Sequence, residues 1–227
     1  MATRVRKRYD VVLFGPTGVT GREVARYLGA RAPALGLTWA VAGRDQARIE
    51  RTMDTVDATP DALLIADTSD ASSIEAMVGS ASVVANLVGP YARYGEPVHR
   101  ACARAGVHQL DLTGEIEWVR RMIDRYHAAA QDSGAAIVPS AGFESLPFDL
   151  AACLAAQTAY ARHDSRVVDV DAAVTITTTA RMTGIADAVS GGTYASMVEM
   201  IRGGDGRPAD PHSLDPPGHD DDRSAFG

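Results

Sequence analysis

The chain has 227 residues and a net charge of −7, which excludes a general nucleic-acid binder, since that needs a basic face. Its two cysteines, Cys102 and Cys153, lie too far apart for a C-x-x-C pair and read as free thiols of a reducing compartment. Lys7 is the only lysine, which removes a P-loop lysine, a Schiff base and the Tyr-x-x-x-Lys pair of short-chain dehydrogenases.

Arg4, Arg6, Lys7 and Arg8 form a short basic leader. Only a strand's length of apolar residues follows it, so no signal peptide is expected. No stretch reaches the roughly 18 apolar residues of a membrane span. The expected location is the cytoplasm.

The first strand is expected over 10–14 and runs directly into GPTGVTG, followed by a helix over 18–30. A strand, a glycine turn and a helix N-terminus make an anion site, because the first helical N–H groups have no internal partner and the helix dipole points the same way. Gly15 suits the tight turn, Gly18 lets the backbone approach a pyrophosphate, and Gly21 permits close packing of helix on strand. Thr17 and Thr20 add hydroxyls, either to the ligand or to the turn itself. The spacing is G-x-x-G-x-x-G rather than the commoner G-x-G-x-x-G, so its position between strand and helix carries the reading.

The second strand, over 38–42, ends AVAGRDQ. An NAD site usually has an acidic residue here for the ribose 2′-hydroxyl, whereas an NADP site places an arginine against the 2′-phosphate. Arg44 stands in that place, so NADP(H) is preferred over NAD(H). A plain structural role is compatible with this: Arg44 opens the next helix, 45–53, with Asp45 as its N-cap.

A third strand over 62–66 ends at Asp67, which either faces the adenine or closes a turn. After a helix over 72–78, the fourth strand, 82–87, leads into NLVGPYARYGEP. Val88, Gly89 and Pro90 are expected to run along the cofactor, since ligands of open α/β sheets lie outside the carboxyl ends of the strands. A helix over 96–105, a strand over 108–112, a helix over 115–133 and a strand over 136–139 follow. Strands and helices that alternate in this way, with continuous apolar strands, predict an α/β fold. Residues 1–145 are expected to form a doubly wound Rossmann-type parallel sheet.

The pattern changes near 145. A helix over 146–159, a long strand over 166–179 and a helix over 190–202 are too few for a self-standing domain. Residues 146–203 therefore either pack onto the first sheet or lack the rest of a domain. Residues 204–227, rich in Gly, Pro, Asp and His, are expected to be a polar tail without regular structure.

Candidate chemistry gathers at the sheet's carboxyl edge. Tyr91 and Tyr94 are the candidate proton donors and Glu115 a candidate substrate contact, with Asp111 and Glu144 nearby. Ser190, Gly191, Gly192 and Thr193 open the helix at 190–202, where their N–H groups either hold a substrate carbonyl or cap the helix. His99 and Cys102 have a ligand-like i, i+3 spacing and His108 follows. No third ligand motif joins them, so no metal is expected. Ser145 in GFESLP lacks a G-x-S-x-G elbow.

Several segments together resemble the saccharopine dehydrogenase-like oxidoreductases: GPTGVTG, AGRD, NLVGPYARYGEPVHRACARAGVHQLDLTGE, SAGFESLPFDL and SGGTYAS. The likeness is greatest to the bacterial branch that includes trans-acting enoyl reductases, and it runs from Tyr9 to about Ser196. The resemblance implies cofactor contacts at Gly15, Thr17, Gly18, Val19, Thr20, Gly21 and Arg44 and near Gly89. It implies that residues 146–203 begin a partial α+β substrate domain, and it implies reduction of a carbon–carbon double bond in an acyl chain, or a related hydride transfer, on a small-molecule or acyl-chain substrate. Family members are longer, so three readings stand: an NADPH-dependent enoyl reductase, a non-catalytic NADP(H)-binding sensor, and a truncated inactive fragment. Neither a monomer nor a homo-oligomer is favoured.

Overall fold

A computed structural model describes residues 7–143, 145–171, 173 and 214. Six strands form one parallel sheet: β1 (Tyr9–Phe14), β2 (Trp39–Gly43), β3 (Ala62–Ile65), β4 (Ala81–Asn86), β5 (His108–Asp111) and β6 (Ile137–Val138). Their order across the sheet is β3-β2-β1-β4-β5-β6. The helices are α1 (Val19–Leu35), α2 (Gln46–Val56), α3 (Ala71–Ser80), α4 (Tyr91–Tyr94), α5 (Glu96–Ala105), α6 (Ile116–Ser133) and α7 (Leu146–His163). This is the doubly wound Rossmann-type sheet that the strand–helix alternation predicts.

The two-residue period of the strands gives the sheet two apolar faces. Val12 and Phe14 of β1 face one side and Leu13 the other. On the first side they join Ala40, Ala42 and Val84, beneath Ile74, Met77 and Val78 of α3 and Val98 and Cys102 of α5. On the second side Leu13 joins Val41 and Ala85, beneath Ala25 and Ala32 of α1 and Ile49, Met53 and Val56 of α2. β1 is central, with Val12 beside Ala40 of β2 and Val84 of β4. Each fully buried valine or leucine contributes about 1.5–3 kcal/mol, which is why these apolar runs settle in the middle of the sheet.

Chain direction across the sheet reverses after β3. α1 and α2 carry the chain outward over one face, and α3 and α5 carry it back over the other. The reversal leaves the ends of β1 and β4 side by side with their following segments on opposite faces. An open α/β sheet parts there to receive a ligand.

Helix ends depart from the sequence expectation at α1 and α3. α1 continues past Ala30 through Pro33 to Leu35, and Gly36 in the left-handed region closes it with its N–H on Ala32 O and Pro33 O. α2 begins as expected with Asp45 as its side-chain N-cap, while α3 begins at Ala71, one residue before the expected 72, with Asp70 as its side-chain N-cap. The one-turn α4 was not foreseen.

A third cluster, Tyr91, Trp118, Val119 and Met122, packs α6 against the segment after β4, with Leu214 beside it. No residue of α7 is buried, although Leu146, Leu150, Leu154 and Tyr160 are among its side chains. Of the strand expected over 166–179, residues 166–171 and 173 are described and carry no strand. The remainder of that span, the helix expected over 190–202 and the tail other than Leu214 lie outside the described residues. Among the described residues, no helix is long and apolar enough to cross a membrane.

Candidate functional site

β1 delivers the chain into the first glycine turn, and each glycine there has its own reason. Gly15 has φ +93°, and a Cβ on it would meet Val88 Cγ2 at 2.8 Å. A Cβ on Gly21 would lie 2.2 Å from Gly15 O, so only glycine lets α1 close onto the turn. Gly18 differs: its nearest neighbour would be Gly15 O at 3.8 Å, ordinary contact. Packing therefore does not demand glycine at 18, and the space it leaves opens into a cleft.

That cleft, of about 340 Å³, runs across the ends of four strands. Gly15, Pro16, Thr17 and Gly18 contribute from β1, and Gly43, Arg44, Asp45 and Arg48 from β2 and α2. Ala66, Asp67 and Thr68 follow β3, while Leu87, Val88, Gly89 and Tyr94 follow β4. At its floor α1 presents an N-terminus with no side-chain cap and no acidic residue in its first turn. Uncapped helical N–H groups, a glycine without a packing reason and a parallel pair of strand ends fit a pyrophosphate.

The candidates divide as follows. Gly15, Thr17, Gly18, Arg44, Asp67 and Gly89 line the cleft. Val19 and Thr20 are exposed in the first turn of α1, beside the lining, and Gly21 is buried behind the turn. Pro90 caps α4 one position beyond Gly89. Asp67 reaches the cleft wall, but its Oδ1 accepts from Ser69 N at 2.8 Å and Ser69 Oγ at 2.7 Å, forming a closed turn. Those bonds, more than the field of Arg44, hold its carboxyl below the usual carboxylate range.

The two tyrosines prove unlike. Tyr94 is 40% exposed and faces the cleft. Tyr91 is buried, its hydroxyl donating to Asn86 O at 3.0 Å and accepting from Leu112 N at 3.2 Å. Burial pushes its phenol well above the ordinary value. Tyr91, expected as a proton donor, is not among the residues lining the cleft; it bolts the end of β4 to the end of β5.

Glu115, expected as a substrate contact, is likewise turned inward. It is 4% exposed, and its oxygens accept the amide protons of Tyr91 at 2.9 Å and Ala92 at 2.7 Å. It anchors the start of α4 from beneath instead of facing the cleft. Asp111 is equally internal, accepting from Thr113 N at 3.0 Å, Ser140 N at 3.1 Å and Gln109 Nε2 at 3.1 Å. Burial raises its pKa against those bonds.

His99 and Cys102 are buried in α5, and burial lowers the histidine to about 4 and raises the thiol to about 12. The His99 ring packs edge-on to Trp118 at 5.8 Å. His108 is occupied elsewhere, with Nδ1 accepting from Ala136 N at 3.0 Å. Among the described residues no cluster of His, Cys, Asp and Glu could hold a metal ion. Glu144, Ser190, Gly191, Gly192 and Thr193 lie outside the described residues.

Arg48 and Thr68 line the cleft without having been singled out. For Arg48 a signal existed: it lies four residues after Arg44, one helical turn along.

Residues 11–138 match the family model of the saccharopine dehydrogenase NADP binding domain. A Mycobacterium tuberculosis protein provisionally named a trans-acting enoyl reductase is 37% identical over 222 residues, covering 94% of this chain and 51% of its own length. The trans-acting enoyl reductase of Mycobacterium bovis is 42% identical over 146 residues, covering 63% of this chain and 34% of its own. The chain thus spans about half the length of the first relative and a third of the second. Among solved structures, apo saccharopine dehydrogenase from Saccharomyces cerevisiae aligns with a TM-score of 0.49 and 15% identity, over 67% of this chain and 32% of that one.

Proposed function

This chain belongs to the family of the saccharopine dehydrogenase NADP binding domain, and on that premise we propose that its cleft binds NADP(H) as the cofactor half of an enoyl-reducing oxidoreductase. The observation that carries the reading is the pairing of an uncapped α1 N-terminus at Gly18 with Arg44 one strand away. The first suits a pyrophosphate, and the second suits a 2′-phosphate on the adjoining ribose.

The order of strands sets the order of the ligand. β3 and β2 border the adenosine end, β1 the diphosphate, and β4 the nicotinamide end. Val88, Gly89 and Tyr94 therefore stand nearest the reacting carbon. A reduced nicotinamide supplies hydride to the β-carbon of a conjugated carbonyl. Tyr94 is our candidate to deliver the proton that the α-carbon then needs, with water returning a proton to the phenolate. Tyr91 and Glu115 hold the turn that carries Tyr94. Ser190, Gly191, Gly192 and Thr193 are our candidates for holding the substrate carbonyl as charge develops. We assign residues 146–203 to the substrate part and 204–227 to its polar continuation. An acyl-chain substrate is favoured by the naming of the mycobacterial relatives.

The test is isotopic. The protein is incubated with NADPH bearing a transferable deuterium and with a short enoyl thioester. The reading predicts deuterium on the β-carbon of the product and its loss in Tyr94→Phe. Cofactor binding without any transfer would replace it with a non-catalytic binding role.

A further inference from the structure

Two arginines share the β2 end of the cleft, Arg44 directly after β2 and Arg48 in the first turn of α2. Both are exposed, and among the described residues neither is in an ion pair. Two like charges on one concave wall repel, and such an arrangement persists at little cost only where solvent or an anion screens it.

The acids nearby are already engaged. Asp45 Oδ1 accepts the backbone N–H of Arg48 at 2.9 Å, fixing the first turn of α2. Asp67 is closed onto Ser69, with Arg44 acting on it only through its field. Both carboxyl groups therefore spend their nearest bonds on shaping the wall. The Asp45 cap also sets where the Arg48 side chain begins. Ile49, one residue on, is buried in the cluster that packs α2 against the sheet.

We infer that Arg48 is a second guanidinium for the 2′-phosphate, closing on it from α2 while Arg44 approaches from the end of β2. A ribose 2′-phosphate carries close to two negative charges at neutral pH, as other phosphomonoesters do. Two planar, permanently charged forks match that dianion in charge and in hydrogen-bond capacity. A ribose 2′-hydroxyl would leave both forks without an anion, so the pair discriminates between the two dinucleotides more sharply than Arg44 alone. This inference rests on the reading of the cleft as an NADP(H) site.

The test uses adenosine fragments, so it does not depend on the hydride acceptor. The full chain, Arg48→Ala and Arg51→Ala are titrated calorimetrically with adenosine 2′,5′-bisphosphate and with 5′-AMP. Arg51 is exposed on the same helix, does not line the cleft, and carries the same charge change. The expected result is that Arg48→Ala weakens the bisphosphate by about tenfold, the size of one charge-assisted contact. It should leave 5′-AMP within about twofold, well below that step, and Arg51→Ala should change neither. An equal loss for both ligands would overturn the inference in favour of a stacking role against adenine. An equal effect of Arg51→Ala would reduce it to general charge. If the unaltered chain binds the bisphosphate no better than 5′-AMP, the NADP reading itself falls. If it prefers the bisphosphate and Arg48→Ala keeps that preference, only the role of Arg48 falls.

Discussion

Glu115 and Tyr91 lie 24 residues apart in sequence and are joined by a hydrogen bond of 2.9 Å from the Tyr91 amide to Glu115 Oε1. A second bond from Ala92 N completes a two-amide clamp, so the segment after β5 fixes the start of α4. Replacing Glu115 by alanine strands the buried Tyr91 amide and removes the charged partner of the Ala92 amide. The expected cost is about 3 kcal/mol in denaturant unfolding. Glu115→Gln, which keeps one good acceptor, should cost about half as much. A result within about 0.5 kcal/mol for the alanine variant, the scatter of neutral surface changes, would remove the clamp from the account.

The glycines separate packing from binding. Gly21→Ala puts a Cβ 2.2 Å from Gly15 O, a collision with backbone that no side-chain rotation relieves. It should destabilise by about 1–3 kcal/mol. Gly18→Ala meets nothing closer than 3.8 Å and should leave stability almost untouched. Its Cβ would still stand where the pyrophosphate approaches, so cofactor affinity should fall by at least about tenfold, a loss of roughly 1.4 kcal/mol. Thermal melts and cofactor titrations of the two variants should thus move in opposite ranks.

His99 makes stability sensitive to mild acid. Its pKa is lowered from the ordinary 6.5 to about 4 by burial, against the opposing pull of Glu96. A lowered value means that the folded state resists protonation. The contribution is complete above the ordinary value and is lost as pH falls from there toward about 4. At most about 3 kcal/mol is at stake. Urea midpoints measured across that window should decline, and His99→Phe should flatten the decline. An unchanged slope in the variant would assign the acid sensitivity elsewhere.

The two cysteines should react in sequence. Cys102 is buried in α5 with its thiol pushed up to about 12, whereas Cys153 is exposed on α7. A thiol reagent at mildly alkaline pH should modify one cysteine in the folded protein and both in denaturant. Modification of Cys102 at the rate of Cys153 would mean that the α3–α5 face of the core opens readily.

Much of this arrangement was readable in the chain. The spacing of Gly15, Gly18 and Gly21 implied three separate jobs, and the φ of Gly15 and the contact at Gly21 agree with two of them. Arg44 stands at the end of β2 because the strand's apolar run stops there. What was not readable is depth. Tyr91, Tyr94, Asp111 and Glu115 all belong to segments that end at one rim, and spacing cannot tell which side chains turn toward solvent. That choice depends on contacts between segments 20 or more residues apart, such as Tyr91 with Leu112 and Ser140 with Asp111. The end of α1 lies beyond the expected Ala30 for a local reason: Pro33 sits inside the helix and Gly36, in the left-handed region, caps it.

The most direct measurement is calorimetric titration of the purified chain with NADPH and with NADH, repeated on Arg44→Ala. NADPH should bind more tightly than NADH, with the difference cut by at least about tenfold in the variant, the part that Arg48 supplies remaining, while NADH affinity stays the same. Folded protein that binds neither dinucleotide, or binds both equally with and without Arg44, would contradict this.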